Sequence, residues 1–103
     1  MSINKHNEEI VNEIVRAFDE AGFNLESQRL KSFWQALNSV EREKKTAAAQ
    51  SIIGYCHPKA WGDLSVAGKC HSYKSIQEWD KALAKLTKIA KNQLKHHKRN
   101  AQT

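Results

Sequence analysis

Ser75, Ile76, Gln77 and Glu78 open a run in which Ile76, Trp79, Leu83, Leu86, Ala90 and Leu94 recur at intervals of three or four. Only a helix turns that spacing into one apolar stripe, because residues three and four apart share a helical face. The four opening residues form a capping box. In it the serine hydroxyl accepts from the third backbone amide, and the glutamate reaches back to the serine amide. The chain is thus predicted to carry a long amphipathic helix over 76–97, whose stripe needs other elements to cover it.

The remaining sequence supplies those elements as further helices. Glycine (4) and proline (1) are too scarce for the many turns of a sandwich or barrel. Ile10, Val11, Ile14, Val15 and Phe18 line one face of a helix over 4–20, with Asn4 or Asn7 placed to cap it. Gly22 followed by Phe23 is suited to a left-handed stop. Leu30, Phe33, Trp34 and Leu37 define a second helix over 25–38 with Asn24 as its cap. Ser39 is placed to cap a third over 40–53, where Ala47, Ala48, Ala49, Ile52 and Ile53 are available for packing and Gly54 for termination. A single helix over 25–53 is the competing arrangement, since no strong breaker divides the two.

From 54 to 74 the periodicity lapses among Gly54, Pro58, Gly62 and Gly68. A structureless loop of about twenty residues is uncommon in a compact domain, so a short helical turn is expected within 58–64, with Pro58 in its first turn. The isomer of the His57-Pro58 bond is not set by sequence. The expected architecture is therefore all-α: a small bundle of about four helices (4–20, 25–38, 40–53 and 76–97) with a long connector over 54–74. It forms a single domain over 1–103, with a basic tail fraying from about 98. The 76–94 seam, with its three-four spacing, is also able to pair helices between chains, and the oligomeric state is left open.

No stretch of 18 apolar residues is present, and residues 1–10 are polar and acidic where a secretory signal is basic and then apolar. These features predict a cytoplasmic protein with no membrane association. Two cysteines, Cys56 and Cys70, are too few for a disulfide scaffold and are expected as free thiols.

Charge is distributed unevenly. Residues 1–43 carry five basic and eight acidic side chains, residues 44–103 twelve basic and three acidic, and the net charge is +6. On the last helix, at about 100° per residue, Lys81, Lys85, Lys88, Lys91, Lys95 and Lys98 fall within an arc of about 140° on the side away from the apolar stripe. Beyond Asp80 that helix holds no carboxylate to pair with them. A row of cations at helical rise matches a phosphate backbone. Lysine lacks the flat fork with which arginine reads guanine, so little sequence preference is expected. Ahead of the helix, Tyr55, Trp61 and Tyr73 alternate with Lys59, Lys69 and Lys74, a mixture able to stack on unpaired bases or to anchor a protein interface. For Trp61 and Tyr55, closing the core beneath the connector is the favoured reading.

The function expected is non-enzymatic: a nucleic-acid-binding accessory domain using Lys59, Lys69, Lys74, Lys81, Lys85, Lys88, Lys91, Lys95, Lys98, Arg99, Trp61 and Tyr73. The alternative is a small adaptor or inhibitor that docks the same basic face on an acidic protein surface, such as that of a nucleic-acid-processing enzyme. Cys56-His57 and Cys70-His71 together offer four zinc-ligating side chains, but adjacent residues point apart, whereas paired ligands usually have two or more residues between them. Neither cysteine has a Gly-rich oxyanion loop or an orienting third residue near it. No metal, cofactor or catalytic residue is therefore assigned.

Overall fold

The structure, a computed structural model, describes the backbone of residues 5–57 and 59–102 and the side chains of these residues as far as Leu94. It is an all-α bundle of four helices: α1 (Lys5–Glu20), α2 (Asn24–Leu37), α3 (Arg42–Tyr55) and α4 (Ile76–Gln102). One 3-10 turn, Trp61–Asp63, interrupts the connector before α4. It falls inside the segment where a helical turn was expected. Pro58 and the bond before it lie outside the described residues, as does Asn4.

The α1–α2 junction follows from Gly22, whose φ of +89° only glycine adopts without strain. Phe23 N–H reaches the Phe18 carbonyl at 2.8 Å and Gly22 N–H the Asp19 carbonyl at 3.1 Å, the paired bonds of a Schellman stop. Asn24 is not the cap of α2. It lies within the helix, and its amide donates to Asp19 Oδ1 at 3.1 Å, while Phe23 occupies the cap position without a side-chain bond. Asn7 likewise lies inside α1.

Helices α2 and α3 are separate, so the single-helix alternative fails. At the break, the Ser39 hydroxyl accepts from Glu41 N–H at 3.1 Å and tightens the turn. Helix α3 accordingly begins two residues later than expected, at Arg42, behind a Val40 that is 98% exposed. It also continues through Gly54, which has helical geometry, and ends at Tyr55. Ala48, Ala49 and Ile52 are buried, but Ala47 faces solvent.

The capping box of α4 forms in full. Glu78 N–H donates to Ser75 Oγ at 3.2 Å, and Glu78 Oε1 accepts from the backbone amides of Ser75 at 3.2 Å and Lys74 at 3.0 Å. Trp79, Leu83, Leu86 and Ala90 are buried as the stripe predicts, widened by Ala82 and Ile89. Ile76 is the exception at 67% exposed, although Trp79 in the same first turn is 1% exposed. The helical backbone runs on to Gln102, past the expected end near 97.

Neighbour packs on neighbour around a ring: α1 on α2, α2 on α3, α3 on α4, and α4 back on α1. One core draws on all four helices and the connector. The α4 seam is consumed by this packing, which removes the reading in which it pairs helices between chains.

A line of six rings runs through the core. Phe33, Tyr55, Trp61, Phe18, Trp79 and Tyr73 follow one another with centroids 5.0–5.7 Å apart, in stacked, tilted or edge-on contacts. The rings come from all four helices and, for Trp61 and Tyr73, from the connector. Trp61 is the centre of the connector's anchorage: its indole N–H donates to Glu26 Oε2, and its carbonyl accepts from Trp79 Nε1 at 3.0 Å.

Candidate nucleic-acid interface

On α4 the buried residues occupy one side, and Lys81, Lys85, Lys88 and Lys91 are all exposed on the other. The lysines stand there because the same periodicity that turns Trp79, Leu83, Leu86 and Ala90 inward turns positions between them outward. The side chains of Lys95, Lys98 and Arg99 lie outside the described side chains, on helical backbone that continues the same element.

The expected stripe is not uniform in its surroundings. Lys81 and Lys85 border a cleft of about 460 Å³ between α1 and α4, whose walls also include Glu9 and Glu13 from α1 and Glu78 from α4. Lys88 and Lys91 do not border this cleft, and at about 100° per residue Lys91 is turned from Lys81 and Lys85 by about 80° and 120°. Sequence alone showed that α4 lacks acidic partners for these lysines; it did not show that α1 presents carboxylates to two of them.

Lys59, Lys69 and Lys74 are exposed on the connector. Lys74 lies immediately ahead of α4, tied there by its amide bond to Glu78. Lys59 follows a turn in which its amide donates to His57 Nδ1 at 3.1 Å. Lys69 closes a second turn through a 3.0 Å bond to the Val66 carbonyl.

Trp61 and Tyr73 do not belong to this surface. They are 1% and 7% exposed, so neither ring presents a face on which an unpaired base could stack. The cause is the connector's own architecture. Val66 is fully buried, Gly68 turns the chain at φ +80°, and the Tyr73 carbonyl accepts from Gly68 N–H at 2.9 Å and from the Cys70 thiol at 3.3 Å. These contacts draw the rings inward, and burial together with the adjacent Glu13 carboxylate pushes the Tyr73 hydroxyl far above the usual phenol range. Tyr55 is half-buried, stacked on Trp61 with the Arg29 guanidinium 5.6 Å from its centroid.

The two Cys-His pairs are engaged in different local structures. Cys56 follows α3 and borders a small cavity with Gly62, Asp80, Leu83 and Thr87. Burial pushes its thiol up to about 11, against a smaller lowering by the Thr87 hydroxyl. Cys70 is bonded to Tyr73, and the His71 backbone amide donates to Glu20 Oε1 at 2.7 Å, tying the connector to the end of α1. Both cysteines are free thiols, and among the described residues no three His, Cys, Asp or Glu side chains are placed to hold one metal ion.

No described helix is long and apolar enough to cross a membrane. Compared with protein-family models, curated proteins and solved structures, the chain matches none.

Proposed function

We propose that this chain is a non-enzymatic binding protein that lays the exposed face of α4 along the phosphate backbone of a nucleic acid, with little sequence preference. The observation that carries this reading is the solvent exposure of Lys81, Lys85, Lys88 and Lys91 on one face of a helix whose other face is buried. Such a row displaces condensed counterions without touching base edges. The burial of Trp61 and Tyr73 removes the stacking platform that single strands use, which favours a duplex.

Fluorescence anisotropy with labelled duplex and single-stranded DNA and RNA, repeated across a range of salt, tests the reading. The expected result is a log-log decline of affinity with salt, with a slope of about −0.9 for each duplex phosphate neutralised. No binding at low salt, or a slope near zero, overturns it.

An acidic protein surface is the second reading, and one observation favours it. The Glu9 and Glu13 carboxylates beside Lys81 and Lys85 oppose a uniformly anionic backbone on that side of α4. A protein partner can place its own cations there. Recovery of one discrete acidic protein from nuclease-treated lysate, lost on Lys88→Glu/Lys91→Glu substitution, would support this reading in place of the first.

A further inference from the structure

We propose that the cleft between α1 and α4 is a binding site for a small zwitterion of the amino-acid type. Its α1 wall carries Glu9 and Glu13, one turn apart on the same face, with His6 before them, and its α4 wall carries Lys81 and Lys85, again one turn apart, behind Glu78, whose Oε1 is taken up by the Lys74 and Ser75 amides. The α1 wall is thus lined mainly by carboxylates and the α4 wall mainly by ammonium groups. Yet the ion pairs among the described residues are Arg29 with Glu26 and Lys44 with Glu41, and neither cleft carboxylate comes within 4.0 Å of a cleft lysine. The walls stand apart around a space of about 460 Å³, in the lower part of the range of about 300–1,000 Å³ common for small-molecule sites.

The chemistry of the walls selects the ligand. A simple anion is drawn to the lysines but repelled by the carboxylates, and a simple cation meets the reverse. A molecule with an ammonium at one end and a carboxylate at the other is attracted at both. Between the charged walls lie half-buried Ile10 and buried Ala82, so a ligand with a short hydrocarbon side chain gains contact there. The site shares Lys81 and Lys85 with the proposed nucleic-acid face, but Glu9 and Glu13 have no part in that face.

The test is an NMR titration of the full chain, following backbone amides, with leucine, N-acetyl-leucine and leucinamide as probes. Leucine is expected to give saturable shifts centred on residues 9–13 and 81–85. Removing either charge in the two analogues should raise the midpoint by at least about tenfold, as expected for loss of a charge-assisted contact. Glu9→Gln and Lys85→Gln should each weaken leucine binding, while Lys88→Gln, outside the cleft, should leave it unchanged. Both cleft substitutions are at exposed positions, and an unaltered helical circular dichroism spectrum verifies that the fold is retained. Equal midpoints for leucine and its analogues, shifts that do not saturate, or tighter saturation by spermidine or inorganic phosphate would each overturn the zwitterion assignment. Loss of duplex binding with retained leucine binding would refute the proposed function alone.

Discussion

Trp61 illustrates how much a single side chain in an irregular segment can hold. It is 1% exposed, touches rings from α1 and α3, donates to Glu26 and accepts from Trp79 through its own carbonyl. Trp61→Ala is expected to cost about 3–5 kcal/mol, as large-to-small changes at buried aromatic sites do, read as a lower urea midpoint. Trp61→Phe keeps most of the packing and loses the indole N–H, while Glu26 keeps its Arg29 partner, so its loss should be smaller, about 1 kcal/mol for one hydrogen bond. Cys56 makes a different prediction. Its thiol is raised from an ordinary 9.0 to about 11, so the folded state keeps the proton to higher pH than the unfolded state does. The resulting stabilisation is complete below the lower value and disappears as pH rises toward the upper one. Urea midpoints of the parent and Cys56→Ala should therefore converge or cross over that interval, and a constant difference would contradict the assignment. Little of this was legible in the sequence. Trp61 was recognisable as large and amphipathic, which suits both a core and a surface, and no local pattern announces that Glu26, thirty-five positions away, accepts from its indole.

At the level of elements, what is encoded within one helical turn was the easiest to read. The Ser75 and Glu78 pair forms the bonds its spacing implies, and Gly22 occupies the left-handed conformation its position implies. Ser75→Ala should lower stability by about 1 kcal/mol through loss of the cap. Gly22→Ala has no neighbour to clash with, since nothing lies within 4 Å of the added Cβ. Its cost of about 1–2 kcal/mol is purely that of the left-handed backbone. Thermal denaturation followed by circular dichroism measures both, and a Gly22→Asn variant should recover part of the second loss. Caps that depend on competition between partners were misread. Asn24 is captured by Asp19 and Ser39 by a turn, and in each case the alternative partner lies within five residues but is revealed only by the backbone path. Ile76 fitted the stripe by spacing yet is exposed while Trp79 in the same turn is buried, because periodicity assigns a face and not what covers each position on it.

In the whole molecule, the ring order of the helices decides which charges meet. Helix α1 carries an acidic face and α4 a basic one, and both are evident in the sequence; that α1 and α4 are neighbours is not, because the contact spans most of the chain. The candidate binding surface was thus half legible: Lys59, Lys69, Lys74, Lys81, Lys85, Lys88 and Lys91 are exposed, while the burial of its aromatic members and its bordering carboxylates depended on tertiary packing. Lys88→Glu combined with Lys91→Glu should weaken duplex binding and flatten its salt dependence while leaving the melting temperature close to that of the parent, as exposed substitutions do. The six-ring line also makes assembly of the bundle visible to light. Tyr55 stacked on Trp61 places a tyrosine donor 5.0 Å from an indole acceptor. Excitation of tyrosine should therefore emerge more strongly as tryptophan emission when α3 and the connector are docked, with Tyr73 contributing through Trp79 at 5.4 Å. Because the rings come from all four helices and the connector, near-ultraviolet circular dichroism and this transfer report their joint closure. A refolding time course in which the two signals rise together would mark closure as a single event, and a lag between them would identify the segment that docks last.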